Sequence, residues 1–341
     1  MKDAKGYYRS ARRFESKQDF NGALNEYDKA INFAPKNGLN YYGKSGIFVA
    51  LSRYEQALEK LNKAINIDPK NSVSHYGKAY VLEKLKRYNE SLEEYDKAIS
   101  SDPFDGLSHY KKADVLEELS KYEEALEELN KAISLDPENS WYHSSKAYLL
   151  EKLSRYEEAM EEYNKAISID PENVWFHSRK AYSLDELSRY EEALEELNKA
   201  ISLDPKNAGY HDEKIVLLEN LERYQEVVNE LDLAISVDPD KKINYYRKSY
   251  ALYKLGNYED ATIELPEILK GGFDIIYLVK FAEMSALLGR SEYGIAKVND
   301  ILSKEKPDTK ELCEHLGYEI NSVATEEEKL ILKEIIEKYC K

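Results

Sequence analysis

The residues best suited to chemistry in this sequence are five histidines that recur every 34 residues, namely His75, His109, His143, His177 and His211. Imidazole nitrogens bind Zn²⁺ at about 2.1 Å, and several ligands must converge on one ion. Equivalent positions on neighbouring packed helices are separated by the helix spacing of about 8–10 Å, which is too far for a shared metal. We therefore interpret these histidines as residues at the edge of a core, in positions that an aromatic side chain could also fill, and predict no metal site.

The other candidate reactive pair is Cys313 with His315, which are two residues apart and have no evident third partner in the sequence. We find no glycine-rich phosphate loop, no zinc-ligand spacing and no nucleophile motif. The two cysteines, Cys313 and Cys340, do not form a disulfide framework and are typical of a reducing compartment. The sequence therefore predicts a protein that is not an enzyme and that needs no cofactor.

The elements that must position these side chains follow the same 34-residue interval. Seven of the nine prolines keep it without a slip: Pro35, Pro69, Pro103, Pro137, Pro171, Pro205 and Pro239. In residues 140–173, Ser140 (with Asn139) supplies an N-cap, and apolar positions at helical spacing follow on both sides of a short turn at Ser154-Arg155. Asp170-Pro171 then ends the second helix, because the residue before a proline is pushed out of helical geometry. Each unit therefore reads as a helical hairpin.

Small and aromatic columns predict how these hairpins pack. One small position is alanine in seven units: Ala30, Ala64, Ala98, Ala132, Ala166, Ala200 and Ala234. Such residues let helix axes approach, and a bulky replacement typically costs about 1–3 kcal/mol. An aromatic column marks the turn of every hairpin: Phe20, Tyr54, Tyr88, Tyr122, Tyr156, Tyr190, Tyr224 and Tyr258. Tyr27, Tyr95 and Tyr163 alternate with Leu61, Leu129 and Leu197, which suggests growth by doubling a pair of units.

With its period, its alanine and aromatic columns and its closing proline, the chain resembles the tetratricopeptide repeat family. The resemblance implies an all-α fold, a right-handed superhelical α-solenoid of stacked helix-turn-helix repeats. Eight units cover residues 4–273. We expect residues 274–341 to form a divergent ninth hairpin at about 275–303 and closing helices within 309–341 that cap the array. Pro266 and Gly271-Gly272 mark where the regular pattern ends.

Charge and hydropathy exclude two classes of partner. The net charge is −16, with 33% charged residues, whereas a nucleic-acid-binding protein presents a basic face. No apolar run approaches the roughly 18 residues of a membrane span, and the first residues lack the apolar core of a signal peptide. We therefore expect a cytoplasmic protein that binds neither nucleic acid nor membrane.

The resemblance implies that the first helices line a concave face, and an unusual set of residues falls there. Nine of the 29 tyrosines occupy two neighbouring columns of those helices, next to an acidic column and two tryptophans. The partner-binding residues that we predict are Tyr42, Tyr76, Tyr80, Glu83, Tyr110, Glu117, Trp141, Tyr148, Glu151, Trp175, Tyr182 and Asp185. The alternative is that the tyrosines only pack between neighbouring helices. An aromatic groove with carboxylates suits an extended segment that carries Lys or Arg.

Repeats of this family that bind the carboxylate tail of chaperones use asparagines flanked by Lys and Arg on these inner faces. The corresponding columns, Arg12 to Tyr250 and Arg9 to Arg247, contain no asparagine, so we predict no chaperone-tail carboxylate clamp. We predict instead a non-catalytic protein-interaction scaffold that binds a basic or amphipathic peptide segment of a protein partner. The alternatives are an accessory or regulatory subunit of an enzyme carried on another chain, and a structural array that assembles with itself. The oligomeric state stays open.

Overall fold

The computed structural model of this chain describes residues 3–269 and 275–305, together with residue 333, and in these residues the regular structure is helical throughout. The first helices of the hairpins are α1 Ala4–Glu15, α3 Gly38–Ala50, α5 Ser72–Lys84, α7 Gly106–Glu118, α9 Ser140–Lys152, α11 Val174–Glu186, α13 Ala208–Asn220 and α15 Lys242–Lys254. Their second helices are α2 Phe20–Phe33, α4 Tyr54–Ile67, α6 Tyr88–Ser101, α8 Tyr122–Leu135, α10 Tyr156–Ile169, α12 Tyr190–Leu203 and α14 Tyr224–Val237. The prediction of an all-α chain of consecutive helical hairpins is confirmed.

Side-chain caps explain where the first helices begin. Asn71 Oδ1 accepts a hydrogen bond from Ser74 N at 2.8 Å, and Asn139 Oδ1 accepts one from Trp141 N at 3.2 Å. The cap of α9 is therefore Asn139, and Ser140 is the first helical residue rather than the cap. A capping side chain satisfies one of the helix-start N–H groups that have no partner within the helix.

The turn inside each hairpin places one residue in the left-handed backbone region. Ser120, with φ of 58°, is an example: its N–H donates to Glu117 O at 2.7 Å, and Lys121 N donates to Leu116 O at 2.9 Å. The equivalent residues all have positive φ: Gln18, Ser52, Lys86, Ser154, Ser188, Glu222, Gly256 and Gly289. Glycine adopts this conformation readily and other residues do so at a cost, so most of these turns carry some backbone strain.

The core lies between the helices, where the alanine columns are fully buried. Packing divides the chain into two compact units, residues 1–176 and 177–341, and the boundary falls inside α11. In the first unit Tyr27, Tyr95 and Tyr163 are wholly enclosed. A Cβ atom on Gly43 would lie only 2.5 Å from the Tyr27 ring, so this large side chain needs a glycine opposite it.

The regular pattern ends in the second unit. After Tyr258 the helix breaks into α16 Tyr258–Ile263 and α17 Leu265–Ile268, as the position of Pro266 predicts. A further hairpin follows, α18 Ile275–Leu287 and α19 Ser291–Glu305. Leu265 and Ile268 are buried in one cluster with α18 residues such as Phe281. Gly271-Gly272, Cys313, His315, Cys340 and the closing helices expected within 309–341 lie outside the described residues, except for residue 333.

Candidate functional site

The twelve residues predicted to bind a partner lie on α3, α5, α7, α9 and α11, which are the first helices of their hairpins. In the first unit, α5 contacts both α3 and α7, so the first helices there are direct neighbours. We call the surface that these helices present the first-helix face of that unit; Tyr182 and Asp185 belong to the corresponding face of the second unit.

The first tyrosine column is a packing column. The Tyr76 ring meets the Tyr95 ring edge-on at a centroid distance of 5.7 Å, and the Tyr110 ring lies 5.2 Å from that of Tyr142. Burial raises the pKa of Tyr76 to about 12 and also raises the pKa values of Tyr42 and Tyr110. The alternative that these three tyrosines pack between helices therefore describes them well, although each stays half-buried.

The second tyrosine column already carries cations from its own helices. Lys84 Nζ lies 4.9 Å from the centre of the Tyr80 ring, and Lys152 Nζ lies 4.9 Å from that of Tyr148. The guanidinium of Arg179 lies 4.6 Å from the centre of the Tyr182 ring. A cation over the face of an aromatic ring is attracted to the ring quadrupole. These rings therefore accept the type of contact that we predict for a partner, but a partner's cation would have to share or displace the internal one.

The acidic column differs strongly from one position to the next. Glu83 pairs with Lys84 Nζ at 3.0 Å, and Glu117 is half-buried, so that desolvation and the nearby Asp114 raise its pKa. Desolvation likewise raises the pKa of Asp185. Glu151 is only 6% exposed, so the expectation that this carboxylate reaches a partner's cation does not fit its position. Within the acidic column of the first unit, the accessible carboxylates are therefore Glu83 on α5 and Glu117 on α7.

Two tryptophans of the first-helix face keep much of their surface exposed. Trp141 is 52% exposed and Trp175 is 38% exposed, and their ring centroids are 6.4 Å apart. Trp175 also packs against Tyr148 and against the buried rings of Tyr163 and Phe176. Two large rings therefore pack on other aromatic side chains, two of them buried, and remain partly exposed to solvent. We call these two residues the tryptophan pair.

The histidines belong to a repeated buried cluster, which the histidine spacing alone did not predict. His75 Nδ1 lies 2.6 Å from Glu94 Oε2, and the other oxygen of Glu94 accepts from Lys78 Nζ at 3.0 Å and from Lys97 Nζ at 2.8 Å. His75 Nε2 faces the Pro69 carbonyl oxygen at 3.0 Å. Because a carboxylate and a carbonyl only accept, a ring with a proton on each nitrogen satisfies both contacts, whereas a neutral ring satisfies one.

The same cluster recurs through the array, and we call it the His–Glu–Lys cluster. Its further pairs are His109 with Glu128, His143 with Glu162, His177 with Glu196 and His211 with Glu230. Burial acts to raise the pKa of Glu94, but hydrogen bonds from Lys97, His75 and Lys78 outweigh it and hold the pKa at about 2. The signal was present in the sequence as a glutamate 19 residues after each histidine. These side chains are engaged with one another, so the cluster is structural.

Neither a metal site nor a membrane span emerges from the described residues. Among them, no group of three or more His, Cys, Asp or Glu side chains is placed to hold a metal ion. No helix in the described ranges is both long enough and apolar enough to cross a membrane.

Comparison with known families agrees with the repeat pattern. Models described as tetratricopeptide repeat match residues 73–105, 110–174 and 150–212, and one described as TPR repeat matches residues 47–86. No curated protein sequence matches the chain at a significant level.

Solved structures show the same fold at low sequence identity. The C-terminal part of a TPR repeat-containing protein of Cytophaga hutchinsonii aligns with a TM-score of 0.60 at 14% identity, covering 70% of this chain and 97% of the other. A tetratricopeptide repeat protein of Parabacteroides merdae aligns with a TM-score of 0.52 at 16% identity, covering 73% and 98%. The pilF protein of Pseudomonas aeruginosa aligns with a TM-score of 0.50 at 22% identity, covering 59% and 92%.

Proposed function

This chain is a tetratricopeptide repeat protein, and we propose that it is a protein-interaction scaffold whose first-helix face binds an extended basic segment of a partner protein. The tryptophan pair is the observation that carries this proposal. Tryptophan is among the residues that most often contribute a large share of the binding energy in protein interfaces. Trp141 and Trp175 keep 52% and 38% of their surface exposed, whereas Tyr142, Tyr163 and Phe176 nearby are buried.

Charge favours a basic partner over an acidic one. The chain has a net charge of −16, and half-buried Glu83, Asp114 and Glu117 lie on the first-helix face next to the tyrosines. In the described residues no cation lies over the ring of Trp141 or Trp175, unlike the rings of Tyr80 and Tyr148. A Lys or Arg of the partner would therefore find an open ring there, and further cations of the same segment would find the carboxylates of α5 and α7.

The affinity of such a site comes from several weak contacts. An exposed cation–π contact contributes about 0.5–1 kcal/mol, far less than the roughly 4 kcal/mol that even millimolar binding requires. A segment that reaches several hairpins adds further contacts of this kind. An extended segment is therefore favoured over a small molecule.

The tryptophans themselves supply the assay, because the chain contains only these two and both lie in the proposed site. The probe is the peptide acetyl-(Lys-Ala-Ala)5-amide, with acetyl-(Glu-Ala-Ala)5-amide as its matched control. We expect the basic peptide to change the tryptophan emission saturably and the acidic one to leave it unchanged. Binding should weaken as salt rises, since exposed charges are screened beyond about 8 Å at physiological ionic strength.

A variant pair locates the binding by calorimetry. The double change Trp141→Ala and Trp175→Ala should weaken binding of the basic peptide by at least about tenfold. Phe104→Ala is the control, because Phe104 is an aromatic residue that is 82% exposed in a loop between two hairpins, outside the first helices. Equal affinity of the double variant and the parent would show that the tryptophan pair is not the binding site. Equal response to the two peptides would refute the basic partner.

A further inference from the structure

The second unit contains a small pocket between α11, α12 and α13 that the neighbouring side chains leave unfilled. Its volume is about 150 Å³. Apolar side chains line it, and two carboxylates and a tyrosine lie among them: Ala181, Leu197, Val216 and Leu217, with Tyr182, Asp185 and Glu213. Pockets for drug-sized ligands span about 300–1,000 Å³, so this one has room for a single side chain.

Local sequence explains the space. Val216 occupies the position that Tyr182 and Tyr250 occupy in the flanking hairpins, and it is 41% exposed. On the second helix, Leu197 holds the position that the larger Tyr163 holds one hairpin earlier. Val216 and Leu197 are both smaller than the tyrosines at the equivalent positions of neighbouring hairpins, so a space remains between α11 and α13.

The equivalent place one hairpin later, between α13 and α15, shows which group the pocket lacks. Glu219 follows Asp185 by 34 residues, and Arg247 follows Glu213 by 34 residues. Arg247 donates two hydrogen bonds to Glu219, from Nε to Oε1 at 2.9 Å and from Nη2 to Oε2 at 2.6 Å. At the pocket Glu213 occupies the position that Arg247 holds one hairpin later. Asp185 therefore has a second carboxylate near it instead of a guanidinium.

The two carboxylates of the pocket are not neutralised by close partners. In the part of the chain that the structure describes, neither Asp185 nor Glu213 makes a side-chain ion pair within 4 Å. Desolvation raises the pKa of each, and the charge of Asp185 adds to the rise at Glu213. Arg179, whose guanidinium lies over the Tyr182 ring, acts in the opposite direction on Glu213 without cancelling it. An added cation would be favoured here.

We propose that this pocket binds one arginine side chain of the partner segment, with its guanidinium between Asp185 and Glu213 and its aliphatic stem against Val216 and Leu217. Arginine is favoured over lysine because its planar fork reproduces the pairing of Arg247 with Glu219 and because its stem suits apolar walls. This inference rests on the proposed function, since it names the side chain that the scaffold recognises.

The test uses the whole protein with ¹³C-labelled Leu and Val methyl groups and the probe N-acetyl-arginine methylamide. The neutral isostere N-acetyl-citrulline methylamide is the matched ligand control. We expect the arginine probe to shift the methyl signals of Leu197, Val216 and Leu217, and the citrulline probe to leave them in place. Methyl signals of the first unit should not follow the same isotherm.

Two variants test whether Glu213 binds the arginine probe. Glu213→Arg installs the side chain found one hairpin later, so the pocket is filled from within and the Kd of the arginine probe should rise at least about fivefold. Glu195→Arg makes the same charge change on the exposed side of α12 and should leave the Kd unchanged. If Glu213→Arg fails to fold, Glu213→Gln removes the charge alone and should also raise the Kd.

The outcomes separate this inference from the proposed function. Binding of the lysine-alanine peptide at the tryptophan pair, with no methyl shifts from the arginine probe, would overturn the pocket and leave the scaffold proposal standing. Methyl shifts that require Glu213, with no peptide binding at the tryptophans, would support the pocket and overturn the first-helix face of the first unit. Equal affinity for the arginine probe in the parent and in Glu213→Arg would overturn the pocket.

Discussion

The Nδ1 atom of His75 lies 2.6 Å from the Oε2 atom of Glu94, although the two residues belong to different helices and are 19 positions apart. Both side chains are buried, and Lys78 and Lys97 bind the remaining carboxylate oxygen. The contact ties the first helix of a hairpin to the second one through charged groups rather than through apolar packing. Because the contact recurs at 34-residue intervals, it joins the two helices in five hairpins of the array.

Removing the carboxylate should destabilise the hairpin. Glu94→Gln leaves two lysines and a histidine around a neutral amide, and loss of one partner from a buried charge pair typically costs about 3–5 kcal/mol. Because the two lysines reach water, we expect the lower part of that range, measured as a fall in the urea midpoint and a loss of amide protection in α5 and α6. Glu93→Gln alters the neighbouring exposed carboxylate and should leave both quantities unchanged. Equal midpoints for the two variants would contradict a stabilising cluster.

Acid should weaken the same clusters. The pKa values of Glu94, Glu128, Glu162 and Glu196 lie at about 2, below the ordinary glutamate value of 4.5. A carboxylate with a lowered folded pKa stabilises above its unfolded pKa, and this contribution is lost as the pH falls through the folded value. We expect the melting temperature to fall between about pH 4.5 and pH 2. In Glu94→Gln the fall should be shallower, and an identical pH profile would refute the assignment.

The hairpin turns offer a change that should stabilise the protein. Ser120 has φ of 58°, which glycine adopts without the Cβ penalty, so Ser120→Gly should raise the stability of its hairpin by about 0.5–1 kcal/mol. Gly256→Ala is the reverse experiment, because Gly256 has φ of 75° and no atom lies within 4 Å of the added Cβ. It should lower stability by about 1 kcal/mol through backbone strain alone. Changes of the same sign in the two variants would contradict this explanation.

Charge reversal should separate the buried acid from the accessible acid. Glu151→Lys places an ammonium at a position that is only 6% exposed and should cost about 3 kcal/mol or more. Glu117→Lys, at the equivalent half-buried position of the preceding hairpin, should cost less than about 1 kcal/mol. Chemical denaturation followed by circular dichroism measures both. A tolerated Glu151→Lys would return this carboxylate to the set of groups that a partner can reach.

The segment after residue 269 should protect the end of the regular array. Leu265 and Ile268 are buried beneath α18, where Phe281 joins the same cluster. A chain that ends at Leu269 would expose this apolar surface, and exposed apolar patches of that kind promote association. Size-exclusion chromatography should show oligomers or aggregates and a lowered melting temperature. A monodisperse monomer with the parent's stability would argue against a protective role for residues 274–341.

Local patterns predicted most of the helices correctly. Capping Asn and Asp residues, Asp-Pro stops and the 34-residue spacing act within one or two turns of chain, so their effect does not depend on distant residues. The break at Pro266 followed for the same reason. The twelve candidate site residues were also placed on the first helices as expected, but their exposure was not predictable, since Glu117 and Glu151 occupy the same repeat position and only Glu151 is buried.

The sequence by itself determined the repeat, the helical class and the column that each side chain occupies, because these depend on period and on local backbone preferences. Tertiary structure decided which columns meet. His75 reaches Glu94 only because α5 and α6 pack in one register, and Tyr76 is a packing residue because Tyr95 comes down beside it. The pocket at Asp185 and Glu213 needs three helices at once, with small side chains from two of them left facing one opening. Space and burial are properties of atoms brought together from distant positions, so they appear only when the hairpins pack.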